Sequence, residues 1–297
     1  MIRAAALVAV TAVWGWTFVV VKDAIAAYPV VPFLALRFGL AALVLAPFAR
    51  RLDREVWRAG VPIGLLLAAG YLFQTLGLAR TRASDAGLVT GSFVVITPLL
   101  DRIIFGTRPS RGALAGVALA AVGLVLLVAG APIEIGSGDV IVLIGAVAFA
   151  AQIVALSRVS VRHDPVALTT VQVVVAFVSF VALWIVLRDP LLPPAADVLV
   201  AVAITGVLAT SLAFFVQTWA QRRLAATPTA IVLATEPAWA TLFGIALAAD
   251  PFPPVRAVGA MLLLAAPVVA TMSSKAKEVL SHAGREGAAG DPRLPRG

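Results

Sequence analysis

The stretch IVLATEPAWATLFG, residues 231 to 244, carries one charged side chain, Glu236, followed directly by Pro237. A carboxyl group in nonpolar surroundings can carry a proton or balance an ammonium ion, so this pair is the first candidate for chemistry. Seven Leu, Ile, Val and Phe residues between Pro228 and Ala248 supply about −2 to −4 kcal/mol toward membrane insertion, against about +2.5 to +3.5 for one acidic residue near the centre. Glu236 therefore cancels most of the segment's own driving force. Pro237 removes one more hydrogen bond and leaves the carbonyl of Leu233 without its usual donor. Such a segment persists only where it faces protein or water. Thr97-Pro98 repeats the pattern and frees the carbonyl of Val94, so Pro98 and Pro237 are expected to kink their helices at corresponding depth. Two roles stay open for Glu236: a substrate or proton-coupling site, or a packing glutamate neutralised by protonation or a hydrogen bond.

Other polar and aromatic residues recur at helical spacing. WGWTF sets Trp14, Trp16 and Thr17 around a glycine; Tyr71, Gln74 and Thr75 share one helix face, as do Thr90, Phe93 and Thr97. Gln152, Gln217 and Trp219 follow, and Trp239 lies three residues beyond Glu236. These are candidate substrate-binding positions, where rings would give a ligand apolar area while amides and hydroxyls orient it. Each has a structural alternative, because tryptophans also gather at membrane interfaces and threonines bond their own helix backbone. Arg37 is a second intramembrane charge, read either as a coupling residue or as a structural partner between two helices. Gly60/Gly64, Gly87/Gly91 and Gly112/Gly116 are spaced for close helix contact rather than for a ligand.

This inventory argues against an enzyme. A nucleophile with its base, or paired aspartates, would have to lie within the apolar spans, which hold no histidine and only Asp101 near one end. The chain has no cysteine, and His163 and His282 fall in polar stretches, so neither a metal site nor a disulfide is expected. No phosphate loop of the GxxxxGK[ST] type is present, and no cofactor is expected.

Residues of this kind need a scaffold that buries them in a bilayer. Of 297 residues, 61% are hydrophobic and 13% charged, and the mean hydropathy is +1.03, far from the composition of soluble domains. Apolar runs of about 20 residues, enough to cross roughly 30 Å of hydrocarbon as helices, recur along the chain. Cutting at charged and Pro/Gly-rich gaps gives ten spans: 4–22, 31–49, 59–79, 84–105, 111–130, 138–157, 166–187, 197–220, 227–249 and 254–273. The first resembles a secretory signal in its flanks, but its apolar stretch from Ala4 to Val21 is long and carries WGWTF, so it is read as a retained helix. With the N-terminus inside, 17 basic residues fall in inner segments and 5 in outer ones, which places both termini in the cytoplasm. Residues 274–297 have too little apolar surface to fold and are expected to be a disordered basic tail. The net charge of +8 sits mainly in the gaps between spans and comes with no recognition motif, so membrane lipid and a small molecule are the expected partners, with protons if Glu236 couples transport, and not nucleic acid.

The two halves look duplicated. Gln74-Thr75 lines up with Gln217-Thr218 at an offset of 143, and the same offset pairs Gly116 with Gly259 and Gly123 with Ala266. Pro98 lines up with Pro237, which sets Thr97 against Glu236, and Arg37 meets Gln172 at an offset of 135. Residues 1–130 and 138–273 are thus expected to be two five-helix units. An odd number of spans per unit inserts the second one upside down, and two such copies can exchange conformations around a shared midplane site. Simple duplication of a structural bundle is the alternative.

Ten helices as five plus five, WGWTF in the first span, Arg37 in the second, the Thr97-Pro98 and Glu236-Pro237 pairs, and the glycine-spaced fifth and tenth spans together resemble the EamA family of the drug/metabolite transporter superfamily. The resemblance covers residues 4–273. It implies an all-α inverted-repeat transporter, working by alternating access and exporting amino acids or other small metabolites. Its central cavity would lie between spans 1, 3, 4, 6, 8 and 9, with Trp14, Gln74, Phe93, Gln152, Trp219, Glu236 and Trp239 toward it. One departure is Ala150-Ala151 where the first copy has Gly15-Trp16, which makes an asymmetric cavity the expectation. The expected location is the bacterial inner membrane. A lipid-linked sugar flippase or an uncoupled facilitator would use the same scaffold.

Overall fold

The computed structural model describes residues 2–50, 52–129, 136–189, 194–248 and 254–270, and no strand occurs among them. The tail expected at 274–297 lies outside these residues. The helices are α1 (Ile2–Ala27), α2 (Val30–Leu45, extended by a 3-10 turn Ala46–Phe48), α3 (Arg54–Leu78), α4 (Ala83–Gly91), α5 (Phe93–Phe105), α6 (Arg111–Val128), α7 (Ser137–Val159) and α8 (Pro165–Leu187). They continue as α9 (Ala196–Gly206), a π-helical turn Val207–Leu212, α10 (Ala213–Gln221), α11 (Ala226–Leu233), α12 (Glu236–Ala248) and α13 (Pro254–Ala270). Among the described residues seven rods are long and apolar enough to cross a bilayer, three of them composite: Val30–Phe48, Ala83–Phe105 and Ala196–Gln221. Arg111–Leu127 and Pro254–Ala270 are shorter apolar helices. Large apolar side chains such as Leu43, Val125, Ile185 and Val186 point outward, as they must where the solvent is lipid. The chain is a multi-pass membrane protein.

Polar caps set the helix ends. α3 begins at Arg54 rather than at 59 because the Asp53 carboxylate accepts from the Val56 N–H at 2.9 Å. Asp164 does the same for Ala167 at 2.9 Å, with Pro165 in the first turn of α8. Gly106, at φ 68°, closes α5 in the left-handed conformation that glycine adopts without strain.

Three rods are interrupted. Ala83–Phe105 turns at Ser92, where the carbonyl accepts from both Val95 and Ile96 at 3.0 and 3.3 Å. Pro98 itself lies inside α5, beyond that turn. Gly91 and Ser92 are weak helix formers, which permits a break there without dictating one. Pro237 instead sits in the first turn of α12, just after a turn at Ala234 and Thr235, where its missing N–H has no partner to lose. The third interruption is the π turn at Val207–Leu212. Here the Ser211 hydroxyl donates to the Gly206 carbonyl at 2.8 Å and to that of Ala41 at 3.3 Å, tying the widened turn to α2.

Small residues let the rods approach. A Cβ at Gly145 would lie 2.9 Å from both the Gln74 nitrogen and the Gly70 carbonyl, and one at Gly77 would meet the Gly138 carbonyl at 2.6 Å, so α3 and α7 run antiparallel in near-backbone contact. Gly60 and Gly64 let α8 onto α3 at Val171 and Val175. α6 and α13 meet at Gly123 against Gly259 and at Gly116 against Ala266 and Ala270, again antiparallel. Buried apolar side chains gather in two large clusters. One joins α1, α2, α3, α8 and α9 around Phe33, Phe38, Leu67 and Phe180; the other joins α5, α6, α7, α11 and α13 around Val94, Ile153, Ile231 and Leu263. Trp14 packs against both.

Candidate functional site

α1 crosses α12 at Gly15, where a Cβ would sit 2.7 Å from the Ala240 nitrogen and 2.9 Å from the Glu236 carbonyl oxygen. That contact needs glycine, and Trp14 and Glu236 beside it both line the cavity. Between the two apolar clusters lies a narrow cavity, and it takes walls from both halves of the chain.

From the first half come Trp14 and Thr17 of α1, Arg37 of α2, Tyr71, Gln74 and Thr75 of α3, Thr90 of α4 and Phe93 of α5. The second half adds Phe149 and Gln152 of α7, Phe214 and Gln217 of α10, and Glu236 at the start of α12. The aromatic wall is continuous. Tyr71 meets Phe149 and Phe214 edge-on, with centroids 5.3 and 5.8 Å apart, and Trp14 leans on Phe214 at 5.4 Å.

Arg37 is buried, with 3% of its surface exposed, yet it has no carboxylate partner among the described residues. Its Nε donates to Thr210 Oγ1 at 2.8 Å, and its Nη2 donates to the Tyr71 hydroxyl at 3.3 Å and to the Ala209 carbonyl at 3.5 Å. Trp14 Nε1 donates to the same Ala209 carbonyl at 2.8 Å. The π turn is what makes these groups available, since a widened turn leaves backbone carbonyls and side chains unspent in the helix. The guanidinium also lies over the Tyr71 ring, 4.6 Å from its centroid.

A chain of amides also reaches the cavity. Gln217 Nε2 donates to Gln152 Oε1 at 3.1 Å and to Gln221 Oε1 at 3.0 Å. Gln152 Nε2 then donates to Gln172 Oε1 at 3.1 Å, and Gln221 Nε2 ends on the Ile153 carbonyl at 2.8 Å. Gln217 Oε1 is buried and accepts nothing. Glu236 is 5% exposed, and no described side chain hydrogen-bonds or ion-pairs with its carboxyl group. A carboxyl, a guanidinium, unspent amide capacity and a ring-lined wall thus share one space.

Trp16, Thr97, Trp219 and Trp239 are not among the residues lining the cavity. Trp16 is two residues from Trp14 and so points to another helix face. Trp219 lies under Arg3, whose guanidinium carbon is 4.8 Å from its ring centroid. Thr97 is fully buried and its hydroxyl has no partner; the Trp239 Nε1 is likewise enclosed without an acceptor. Sequence reasoning passed over Phe149 and Phe214, though each stands three residues before a glutamine already singled out, on the same helix face. For Ala209 and Thr210 no signal existed, because nothing in the local sequence announces a π turn.

A sequence model of the EamA-like transporter family matches residues 2–129 and again residues 136–272. An uncharacterized transporter of Archaeoglobus fulgidus is 31% identical over 266 residues, covering 90% of this chain and 84% of its own length. A solved crystal structure 20% identical in sequence superposes with a TM-score of 0.73 over 92% of this chain and 98% of that one, a likeness of fold.

Proposed function

This chain belongs to the EamA-like transporter family, and from that premise we propose that it is a secondary transporter that exports small amphipathic or aromatic metabolites such as amino acids across the bacterial inner membrane. The observation that carries this reading is the cavity, which both halves line and into which Glu236, Arg37 and the rings of Trp14, Tyr71, Phe149 and Phe214 converge. Rings supply contact area for an apolar side chain, Gln74, Gln152 and Gln217 set orientation, and Glu236 carries a proton or balances an amine.

The proposal includes ten crossings in two oppositely inserted five-helix units, residues 1–130 and 138–273, with both termini and the 274–297 tail in the cytoplasm. Several contacts support it. The offset of 143 maps Gly116 onto Gly259 and Gly123 onto Ala266, so the Gly123–Gly259 contact maps onto the Gly116–Ala266 contact, which also exists. A helix pair that maps onto itself is what an axis between the two copies would produce, and its antiparallel sense matches a fifth and a tenth crossing of opposite direction. Exchange between the copies' conformations would open the cavity alternately to either side.

Uptake of radiolabelled amino acids into inside-out vesicles, with and without a proton gradient, tests the function. Gradient-stimulated uptake of aromatic amino acids that is lost in Glu236→Gln is the expected result. Equal uptake in both conditions with an unaffected variant removes the coupling and leaves an uncoupled facilitator. Translocation of lipid-linked sugars in place of any soluble solute would make the protein a flippase.

A further inference from the structure

We propose that Arg37 is the receptor for a carboxylate on the transported molecule, which narrows the substrate to organic acids and zwitterions carrying an aromatic or other bulky apolar group; this rests on the transport reading above. A guanidinium has five N–H donors in one plane, and a buried one is held at low cost only when an anion faces it. Here Nε and Nη2 are spent on Thr210, Tyr71 and Ala209, all neutral, while Nη1 meets no acceptor among the described residues. The side chain nevertheless lines the cavity. The unspent edge of the fork and the missing counter-ion therefore coincide at the cavity surface.

The surroundings fix this charge in place instead of letting it swing toward a protein carboxylate. Thr210 and Ala209 belong to the π turn, and that turn is tied to α2 by Ser211 on the Ala41 carbonyl. Gly206 lets it approach so closely that a Cβ there would lie 3.0 Å from the Arg37 carbonyl oxygen. The Tyr71 ring beneath the guanidinium holds its plane. A ligand carboxylate arriving from the cavity would accept from the free Nη1 N–H groups, while its apolar part lies against Phe149 and Phe214, which meet the Tyr71 ring edge-on and line the same cavity. Glu236 then faces the remaining end of the ligand.

Four probes separate this from a cavity that merely takes aromatic molecules: L-phenylalanine, 3-phenylpropionate, L-phenylalanine amide and 2-phenylethylamine, each titrated against the purified full-length protein in detergent with tryptophan fluorescence and thermal shift as readouts. The two carboxylates are expected to bind about tenfold or more tighter than the two carboxylate-free probes, the discrimination of a charge-assisted hydrogen bond. In Arg37→Gln that ratio collapses toward one. Thr210→Val, which only loosens the Nε anchor, should reduce the ratio in part and guards against a misfolded Arg37 variant. Equal binding of the amide, the amine and the acids to the wild-type protein overturns the proposal and leaves the transport reading standing. A ratio that survives in Arg37→Gln overturns it equally. If none of the four binds while gradient-driven export of another solute is measured, the carboxylate assignment falls alone; if neither binding nor transport is seen, both fall.

Discussion

Each half of the molecule supplies one charge to the cavity, and the position that pairs with it in the other half is neutral. Arg37 in the first half aligns with Gln172 in the second, and Glu236 in the second aligns with Thr97 in the first. The two neutral members have gone different ways. Gln172 is fully buried and engaged by Gln152 in the amide chain, whereas Thr97 is fully buried with its hydroxyl unpartnered. A duplicated scaffold repeats helix packing, but its charges need not repeat. Placing a cation in one copy and an acid in the other polarises a cavity whose walls derive from the same frame.

The largest effect should come from erasing that asymmetry. Gln172→Arg would bury a second guanidinium among neutral amides and is expected to cost about 3–5 kcal/mol, the scale of an uncompensated buried charge, read as a fall in thermal unfolding temperature in detergent. A variant as stable as the parent would mean the second half holds an anion that can face the new charge. Next is Glu236→Gln, which keeps shape and removes charge. Loss of a charge-assisted contact worth about 1.5–3 kcal/mol predicts a decline of about ten- to hundredfold in gradient-driven uptake, with unfolding temperature held. Smaller still is Gly145→Ala, at the seam where α7 lies on α3. Its Cβ would meet backbone at 2.9 Å, so a destabilisation of about 1–3 kcal/mol is expected from overpacking. The smallest concerns Gly87 in the first half, whose added Cβ would find its nearest neighbour, Phe18, at 3.6 Å. Gly87→Ala should change stability by less than about 0.5 kcal/mol, and together with Gly145→Ala it separates glycines that allow contact between halves from one that merely fits.

One ion pair stands apart from this pattern. Arg158 of α7 bridges to buried Asp101 of α5 and to Thr107, and its guanidinium lies 4.4 Å from the Phe105 ring centroid. It joins the halves at the helix ends remote from Val21 and Leu78, which line the other end of the cavity. Asp101 was visible in the sequence only as a lone acid near a helix end. Its partner, 57 residues away, was not.

Composition and periodicity alone fixed the apolar rods, their approximate limits and the glycine faces, because lipid requires every backbone group to be satisfied within its own segment. Helical spacing likewise placed Tyr71, Gln74 and Thr75 on one face, and the lone acid in an apolar run singled out Glu236. Where a rod breaks was a tertiary decision. Pro98 passed through α5 unbroken while Ser92, Thr235 and the π turn gave way, since neighbouring helices choose which backbone groups find outside partners. Whether a polar side chain meets the cavity depends on those breaks, and so do the neutral neighbours of Arg37. The bonds to Thr210 and Ala209 join residues more than 170 positions apart, a distance that no local pattern spans.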